Sequence, residues 1–438
     1  MKKNDIVLGK CIDYDYQGNG VVKIDGFVVF VKGLIVGEVA QIKIIKVLKN
    51  SSIGIISELV ETSTHRVTPM CNSYRTCGGC ALMHMDLDEQ QRFKTQYVQT
   101  CFDQAKLDIH VNPIIASRNP TYYRNKVQIP LQYDNGWHYG FYRNHSHDLV
   151  EFETCYIQAD FANTFVPRFV EVLNNSGLTE GIRHLVLKMM GNQTMVIVVA
   201  SCNLPQSLLD DFIALAKEFN VTSLVINHHP DNSNTVLSYD NTVIYGPSFI
   251  DASCLGLTYH VSANSFYQVN SIMMEVLYQT AYDYMQAKDN ECILDLYCGT
   301  GTIGLGVAKT VKQLIGVDVV ESSIANAKTN AKDNGIDNAT FYCMDAGKAA
   351  SWMVHENMQF DGIFVDPPRK GCDEVTIEAL KTFNTKRIVY ISCNPSTLAR
   401  DCARLASCYD VVSITPVDMF AHSYHVETVA LLKHKDMS

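Results

Sequence analysis

Cys393 stands in Ile388-Val389-Tyr390-Ile391-Ser392-Cys393-Asn394-Pro395, a strand-like run that breaks into a helix-like stretch over 396–405. A thiol just before a helix N-terminus is favoured as thiolate, the nucleophilic form. A buried structural cysteine is the plainer alternative. A second run, Asp366-Pro367-Pro368-Arg369-Lys370-Gly371, follows the preceding strand-like segment. Farther on, His425-Val426-Glu427 opens the last strand-like segment, where a carboxylate reaching the same pocket can move a proton. Taken alone, Glu427 reads as a solvated surface residue.

The segment 293–297 runs into Cys298-Gly299-Thr300-Gly301-Thr302-Ile303-Gly304. Glycines there let the backbone turn sharply and approach a ligand at the C-terminal edge of a sheet. Gly316-Val317-Asp318 then ends the next strand with a carboxylate suited to ribose hydroxyls, and Asp345 follows the third, near an adenine. A Gly-rich turn alone is also consistent with a tight turn and no ligand. The form Asp-Leu-Tyr-Cys-Gly-Thr-Gly is that of the S-adenosylmethionine (SAM) loop of class I methyltransferases, and it lacks the wider spacing of an NAD site. A site holding SAM, a thiol and a base suits one reaction in particular. Carbon 5 of a pyrimidine is a poor nucleophile until a thiolate adds at carbon 6. Carbon 5 can then take a methyl group, after which a base removes its proton and the cysteine leaves.

Cys71, Cys77 and Cys80 lie within ten residues, with Gly78 and Gly79 between the last two. All-thiolate ligation suits an iron–sulfur cluster or zinc. A redox pair, Cys77 with Cys80, is a third option without a thioredoxin-like βαβ context. Spacing does not choose a fourth ligand.

Five short runs, 7–14, 21–24, 27–31, 38–47 and 54–59, read as strands punctuated by Gln17-Gly18-Asn19-Gly20 and Asp25-Gly26. They predict a small barrel of the OB type, used for nucleic acid or as a spacer or protein dock. Residues 86–106 read as a helix. From 110 to 260 the pattern is mixed and mostly β, with runs at 126–133 and 195–201. After 290 strand-like runs at 292–297, 313–318, 339–343, 362–366 and 387–392 alternate with helices, which predicts an α/β doubly wound parallel sheet. The expected division is 1–60, 61–260 and 261–438, with helix 86–106 packing on the last part. At about 100–200 residues per domain, 438 residues allow roughly two to four.

Hydrophobic residues make up 47% and charged ones 19%, which excludes a disordered chain. No apolar run approaches the ~20 residues of a membrane-spanning helix, and Met1–Lys10 has no apolar signal region behind it. A cytoplasmic protein without a membrane partner is expected, so the 15 cysteines predict no disulfide framework. The net charge of −10 argues against indiscriminate binding to phosphate backbones. Residues 1–150, however, carry 17 Lys and Arg against 14 Asp and Glu, a balance of +3, leaving −13 in the remainder. Specific recognition of folded or single-stranded RNA through the N-terminal third stays open. Tyr122-Tyr123-Arg124-Asn125-Lys126 and Phe141-Tyr142-Arg143-Asn144-His145 interleave aromatic and basic residues, suited to base stacking or to a half-buried strand face.

The 366–371 run, a gap of 16 residues and the 388–397 run together resemble the signature of the RNA uracil-5-methyltransferase family. Val417-Asp418-Met419-Phe420-Ala421-His422-Ser423-Tyr424-His425-Val426-Glu427 resembles its second signature, departing at Ala421, where the family usually has proline. Ser265-Phe266-Tyr267-Gln268-Val269-Asn270 resembles its other SAM-site segment. The resemblance covers essentially the whole chain. It implies Cys393 as nucleophile and Glu427 as base, with Gln268, Tyr297, Asp318 and Asp366 on SAM and Asp345 near the adenine. Asp366 would also help to position the uracil. It implies further that residues 1–60 are a TRAM domain, an RNA-binding barrel. The family's rRNA-modifying members carry a four-iron (4Fe–4S) cluster with this cysteine spacing, and their fourth ligand falls at Cys155; structural zinc is the alternative. TRAM plus cluster cysteines resembles the 23S rRNA enzymes more than the bacterial tRNA enzyme, which lacks both. The expected activity is therefore SAM-dependent methylation of uracil in RNA, most plausibly 23S rRNA, with tRNA as the alternative substrate and no obligate protein partner evident. A non-catalytic iron–sulfur RNA-binding or ribosome-assembly factor is the competing class.

Overall fold

The computed structural model describes residues 1–144, 146–230 and 235–437. His145, in the second aromatic and basic run, lies outside the described residues. Strands β1 (Ile6–Tyr14), β2 (Gly20–Ile24), β3 (Phe27–Val31), β4 (Val39–Val47) and β5 (Ser51–Glu61) close a barrel in the order β1-β2-β3-β5-β4. Side chains alternate across a strand, and the inward set of Cys11, Val22, Val29, Val31, Ala40, Ile42 and Ile44 forms its core. Glu38 is not part of β4. It is fully buried and is gripped by Arg66, whose Nε donates to Oε1 at 2.6 Å and whose second guanidinium nitrogen donates to Oε2 at 2.5 Å. That fork ties the barrel to the cysteine-bearing loop.

Asp86 caps helix α1 (Leu87–Gln104) by accepting from the Glu89 amide at 2.9 Å. Val98, Cys101 and Phe102 on α1 pack into the apolar core of the C-terminal sheet. The central region builds a six-stranded sheet from β6 (Lys126–Tyr133), β7 (Trp137–Tyr139), β10 (Ile182–Met190), β11 (Gln193–Ala200), β12 (Ser223–His228) and β13 (Asn241–Tyr245), beside a short hairpin of β8 (Phe141–Tyr142) and β9 (Leu149–Val150). Helices α2 (Asp160–Asn175) and α3 (Gln206–Glu218) cover one face through Phe165, Phe169 and Phe212. Its other face, with Met195, Ile197 and Val199, shares a core with the hairpin β14 (Phe249–Cys254) and β15 (Leu257–Ser262) and with α4 (Ser271–Met285).

The C-terminal part alternates strictly: β16 (Cys292–Leu296), α5 (Gly304–Ala308), β17 (Gln313–Asp318), α6 (Glu321–Asp333), β18 (Ala339–Cys343), α7 (Ala346–His355), β19 (Gly362–Val365), α8 (Glu374–Thr382), β20 (Arg387–Ser392) and α9 (Pro395–Leu405), then β21 (Tyr409–Val417) and β22 (Glu427–His434). The sheet order is β18-β17-β16-β19-β20-β22-β21. Every pairing among β16 to β20 is parallel, whereas β22 runs against both of its neighbours. The strands are buried on both faces, so Ile363, Val365, Ile388, Val389 and Leu432 have almost no exposure. Each such side chain contributes about 1.5–3 kcal/mol by leaving water.

Candidate active site

Parallel register aligns the strand ends, so the residues just beyond them share one sheet edge. Leu296 pairs with Val317 on one side and with Val365 on the other, which sets Tyr297 between Asp318 and Asp366. Asp318 pairs with Cys343, and the Met344 amide donates to the Asp318 carbonyl at 3.0 Å, leaving Asp345 next along the edge. There Asp345 is exposed and caps α7, accepting from the Lys348 amide at 3.1 Å.

The reversed strand completes the row. Because β22 is antiparallel to β20, the start of one lies beside the end of the other, and Ser392 pairs with Thr428. Cys393, one residue past β20, and Glu427, the first residue of β22, thus meet at this edge. Glu427 is 5% exposed. Burial, and then the negative charge of Asp366, push its carboxyl up to about 8, with Arg369 pulling partly the other way. Asp366 keeps part of its surface open, yet the protein enclosing its carboxyl pushes it up to about 7. The Cys393 thiol is raised by burial and by the charges of Glu427 and Asp366; Arg369 lowers it, by charge and hydrogen bond. The expected preference for thiolate is therefore not met by the helix N-terminus alone. Burial of the thiol, and then the charges of Glu427 and Asp366, outweigh it, and Arg369 is the compensating cation.

The two motif loops are stitched together. Asn394 caps α9, and its Nδ2 donates to the Arg369 carbonyl at 3.1 Å; Thr397 Oγ1 donates to the same oxygen at 3.2 Å. Asp401, fully buried, accepts from the Cys372 amide at 2.9 Å and from the Tyr390 hydroxyl at 2.8 Å, and it pairs with Arg400. Gly371 has φ of +77°, and a Cβ there would collide with the Asp401 carboxylate. Nothing in the sequence singled out Asp401, which looks like one more charged residue on a helix.

In the glycine turn, Asp318 accepts from the Gly299 amide at 3.0 Å and from the Val320 amide at 2.8 Å. Tyr297 adopts φ of +66°, a conformation side chains rarely take, as the chain leaves β16. Asp295, 1% exposed, accepts from the Gly304 amide at 2.9 Å; burial drives its carboxyl up to about 8. The Gln268 segment comes from outside this sheet. Its carbonyl accepts from Asn125 Nδ2 at 3.0 Å, and the Asn125 amide donates to Val269 at 2.8 Å. Lys188, buried on β10, donates to the carbonyls of Ser262 and Ser265 at 2.7 and 2.8 Å. Asn270 caps α4 and donates to the Met419 carbonyl at 3.0 Å, joining this segment to the loop before Glu427.

Cys71, Cys77, Cys80 and Cys155 line one cavity of about 350 Å³, together with Arg124 and Lys126. Burial raises the thiols of Cys71, Cys77 and Cys80, and the nearby Cys155 adds to each shift. Among the described residues, no group of three or more His, Cys, Asp or Glu is drawn together to hold a single metal ion. Of the aromatic and basic run, Tyr123 and Asn125 are buried and Lys126 and Arg124 half-buried, leaving Tyr122 exposed. The Tyr123 hydroxyl donates to the Ala421 carbonyl at 3.0 Å. Only Lys126 of this run lies in a strand, at the start of β6, and Arg124 makes an isolated bridge to Gln158; the rest is a packed loop that leaves Tyr122 as its exposed ring. Among the described residues no helix is long and apolar enough to cross a membrane.

Two family descriptions match the chain: "tRNA (Uracil-5-)-methyltransferase" over residues 86–435 and "TRAM domain" over 12–56. An "Uncharacterized RNA methyltransferase" of Staphylococcus epidermidis is 39% identical over 451 residues, covering 100% of this chain and 99% of its relative. A protein of the same description from Staphylococcus aureus is 38% identical over 454 residues, covering 99% of each. The crystal structure of the Pyrococcus abyssi tRNA (uracil-54, C5)-methyltransferase in complex with S-adenosyl-L-homocysteine matches with a TM-score of 0.78 and 26% identity, over 97% of this chain and 99% of that one. The chain therefore belongs to the tRNA (uracil-5-)-methyltransferase family, a SAM-dependent RNA methyltransferase with an N-terminal TRAM domain.

Proposed function

We propose that this enzyme methylates carbon 5 of uridine in 23S rRNA through a covalent bond from Cys393. The observation that carries the reading is the β20–β22 register, which joins Cys393 and Glu427 at one edge. Cys393 Sγ, as thiolate, adds to carbon 6 of the uracil, and the electron pair of the carbon 5–carbon 6 double bond moves into an enolate. SAM, when bound, supplies an electrophilic methyl group. Carbon 5 takes that methyl as the methyl–sulfur bond breaks, its electron pair staying on the sulfur of the departing S-adenosylhomocysteine, and Glu427 then removes the carbon 5 proton. The C–H pair re-forms the double bond, the carbon 6–sulfur bond breaks, and its electrons return to Cys393. Gln268, Tyr297 and Asp318 hold SAM, with Asp345 near its adenine, and Asp366 orients SAM and the uracil. Arg369 stabilises the thiolate. The target uridine must leave its stack to reach Cys393, since a stacked base cannot present carbon 6 to a thiol.

Cys393→Ala is expected to give neither product nor an RNA adduct. Glu427→Gln is expected to stall with methylated RNA bonded to Cys393, visible on a denaturing gel and dependent on SAM for its full accumulation. Loss of a general base slows turnover by about 10²–10⁴-fold. Turnover of Glu427→Gln at the parent rate would remove Glu427 as the base.

The choice of 23S rRNA rests on the TRAM barrel and the four cysteines occurring together. The name of the Pyrococcus abyssi structure favours the same reaction on tRNA. Mapping 5-methyluridine in both RNAs from cells lacking the gene decides: loss from tRNA alone would overturn the rRNA reading. Cys71, Cys77, Cys80 and Cys155 would hold a 4Fe–4S cluster. Four thiols spaced round a cavity suit a cluster several bonds across better than one zinc ion, and Arg124 offsets thiolate charge at Cys80. The proposed chemistry moves no electron singly, so the cluster's part is to shape the central region. Protein purified without oxygen should contain about four irons per chain, the number in the cluster, and Cys80→Ser should lose them; stoichiometric zinc instead would overturn this assignment.

A further inference from the structure

Residues 418–426 connect β21 to β22 and deliver Glu427 to the site. Helix α1 grips this loop from a distant part of the sequence. Lys94 is fully buried, and its ammonium donates to Asp418 Oδ1 at 2.5 Å and to the Phe420 carbonyl at 3.0 Å. Gln90, also fully buried, accepts from the His422 amide at 2.8 Å and donates to the Met85 carbonyl at 2.9 Å. His422 sits at φ of +66°, and its carbonyl accepts from the amides of Ala81 and Leu82 at 2.9 and 3.0 Å. Three consecutive peptide carbonyls, at 420, 421 and 422, are thus pinned by groups outside the loop. A buried ion pair adds little net stability relative to an apolar pair of the same size. Its value here is geometric.

The same helix holds the barrel with its neighbouring stripe. Glu89 accepts from the Tyr14 hydroxyl, and Phe93 meets the Tyr14 ring edge-on with centroids 5.4 Å apart. Residues four apart share a helix face, so positions 89 and 93 face the barrel while 90 and 94 face the loop.

We propose that Gln90 and Lys94 are positioning residues for the proton-abstraction step, holding the loop so that Glu427 meets the carbon 5 proton. This rests on Glu427 being the base. Addition and methyl transfer use Cys393 and the SAM edge, which α1 does not touch through these two side chains. In their absence Glu427 takes the proton more slowly, the carbon 5–carbon 6 double bond re-forms late, and the carbon 6–sulfur bond outlives methyl transfer. Misplacing a catalytic group by about 1 Å costs up to about 10²-fold.

The test uses the full-length enzyme with target RNA and SAM, following turnover, first-turnover methyl transfer and the RNA adduct that resists denaturation. Gln90→Leu, and Lys94→Met combined with Asp418→Leu to avoid a stranded charge, are compared with the parent and with Glu427→Gln. The expected result is turnover lowered about 10–100-fold, first-turnover methyl transfer within about twofold of the parent, and accumulated adduct. Gln90→Glu, which keeps the acceptor for the His422 amide, should recover much of the loss. Parent-level turnover without adduct in Gln90→Leu overturns the proposal. So does equal slowing of methyl transfer and turnover, which marks a merely structural part. If the paired variant does not fold, the two Gln90 variants decide. No adduct in Glu427→Gln would instead overturn the base reading, whereas adduct there and none in the α1 variants overturns only the role of α1.

Discussion

At Glu427 and Asp366, catalysis and stability make opposite demands on pH. Burial raises both carboxyls, to about 8 and about 7, so each prefers to be neutral in the folded protein. A proton acceptor must be ionised, so the elimination step should speed up as pH rises toward about 8. Stability runs the other way. For a raised pKa the folded state binds more protons than the unfolded one, and stability is lost as pH climbs from the ordinary carboxylate range through the folded value. The melting temperature of the parent should fall between about pH 4 and pH 8, and Glu427→Gln should flatten part of that fall. A Gln variant whose melting profile matches the parent across this range would show that the Glu427 carboxyl is not held neutral. Cys393 and Glu427 were legible as chemistry because each sits at a strand boundary among unusual neighbours. The charge balance between them was not, since it comes from Asp366 and Arg369 closing around both.

At the level of elements, the strand-loop-helix units after residue 290 could be read directly, because each strand is a continuous apolar run and the loop beyond it carries chemistry. The central helices could not. Proline lies inside α2, at Pro167, and α3 begins immediately after Pro205, so both read as breaks. The grip of α1 was hidden for another reason: Lys94 and Gln90 find partners 324 and 332 residues away. Ala421 also changes meaning in the folded chain. It is fully buried, its carbonyl accepts from the Tyr123 hydroxyl, and the adjoining residues Phe420 and His422 are held from α1. The Asp401 hub yields a sharper expectation. Asp401→Asn keeps the volume but has one acceptor oxygen in place of two: with that oxygen on the Cys372 amide and the Tyr390 hydroxyl, its NH2 faces the Arg400 guanidinium, and the charge is gone. Leaving such buried groups short of a partner costs about 1–3 kcal/mol. The loop bearing Arg369 would loosen with it, so methylation should fall along with stability, measured as initial rate and as denaturation midpoint on the same preparation.

For the whole molecule, the barrel and the cysteine-bearing loop are joined by Glu38 and Arg66. Burial alone would raise the Glu38 carboxyl, but Arg66 and the amides of Ile35 and Ser63 outweigh it and hold it low. Its stabilising share is present above the ordinary carboxylate range and is lost as acid protonates it. Arg66→Met would strand a buried charge, at a cost of about 3–5 kcal/mol. Amide exchange should then accelerate in the barrel strands first; uniform acceleration across the chain would refute a local hinge. The reversed strand β22 has a different consequence, one of timing. It is made after every other strand of its sheet, yet it belongs between β20 and β21. Until it emerges during synthesis, those two strands keep open edges that can pair with other chains. The residue that opens β22 is also the proposed base. A nascent chain therefore completes this sheet and gains the proposed base in the same event, so a chain cut short before that strand is expected to be both inactive and prone to aggregate.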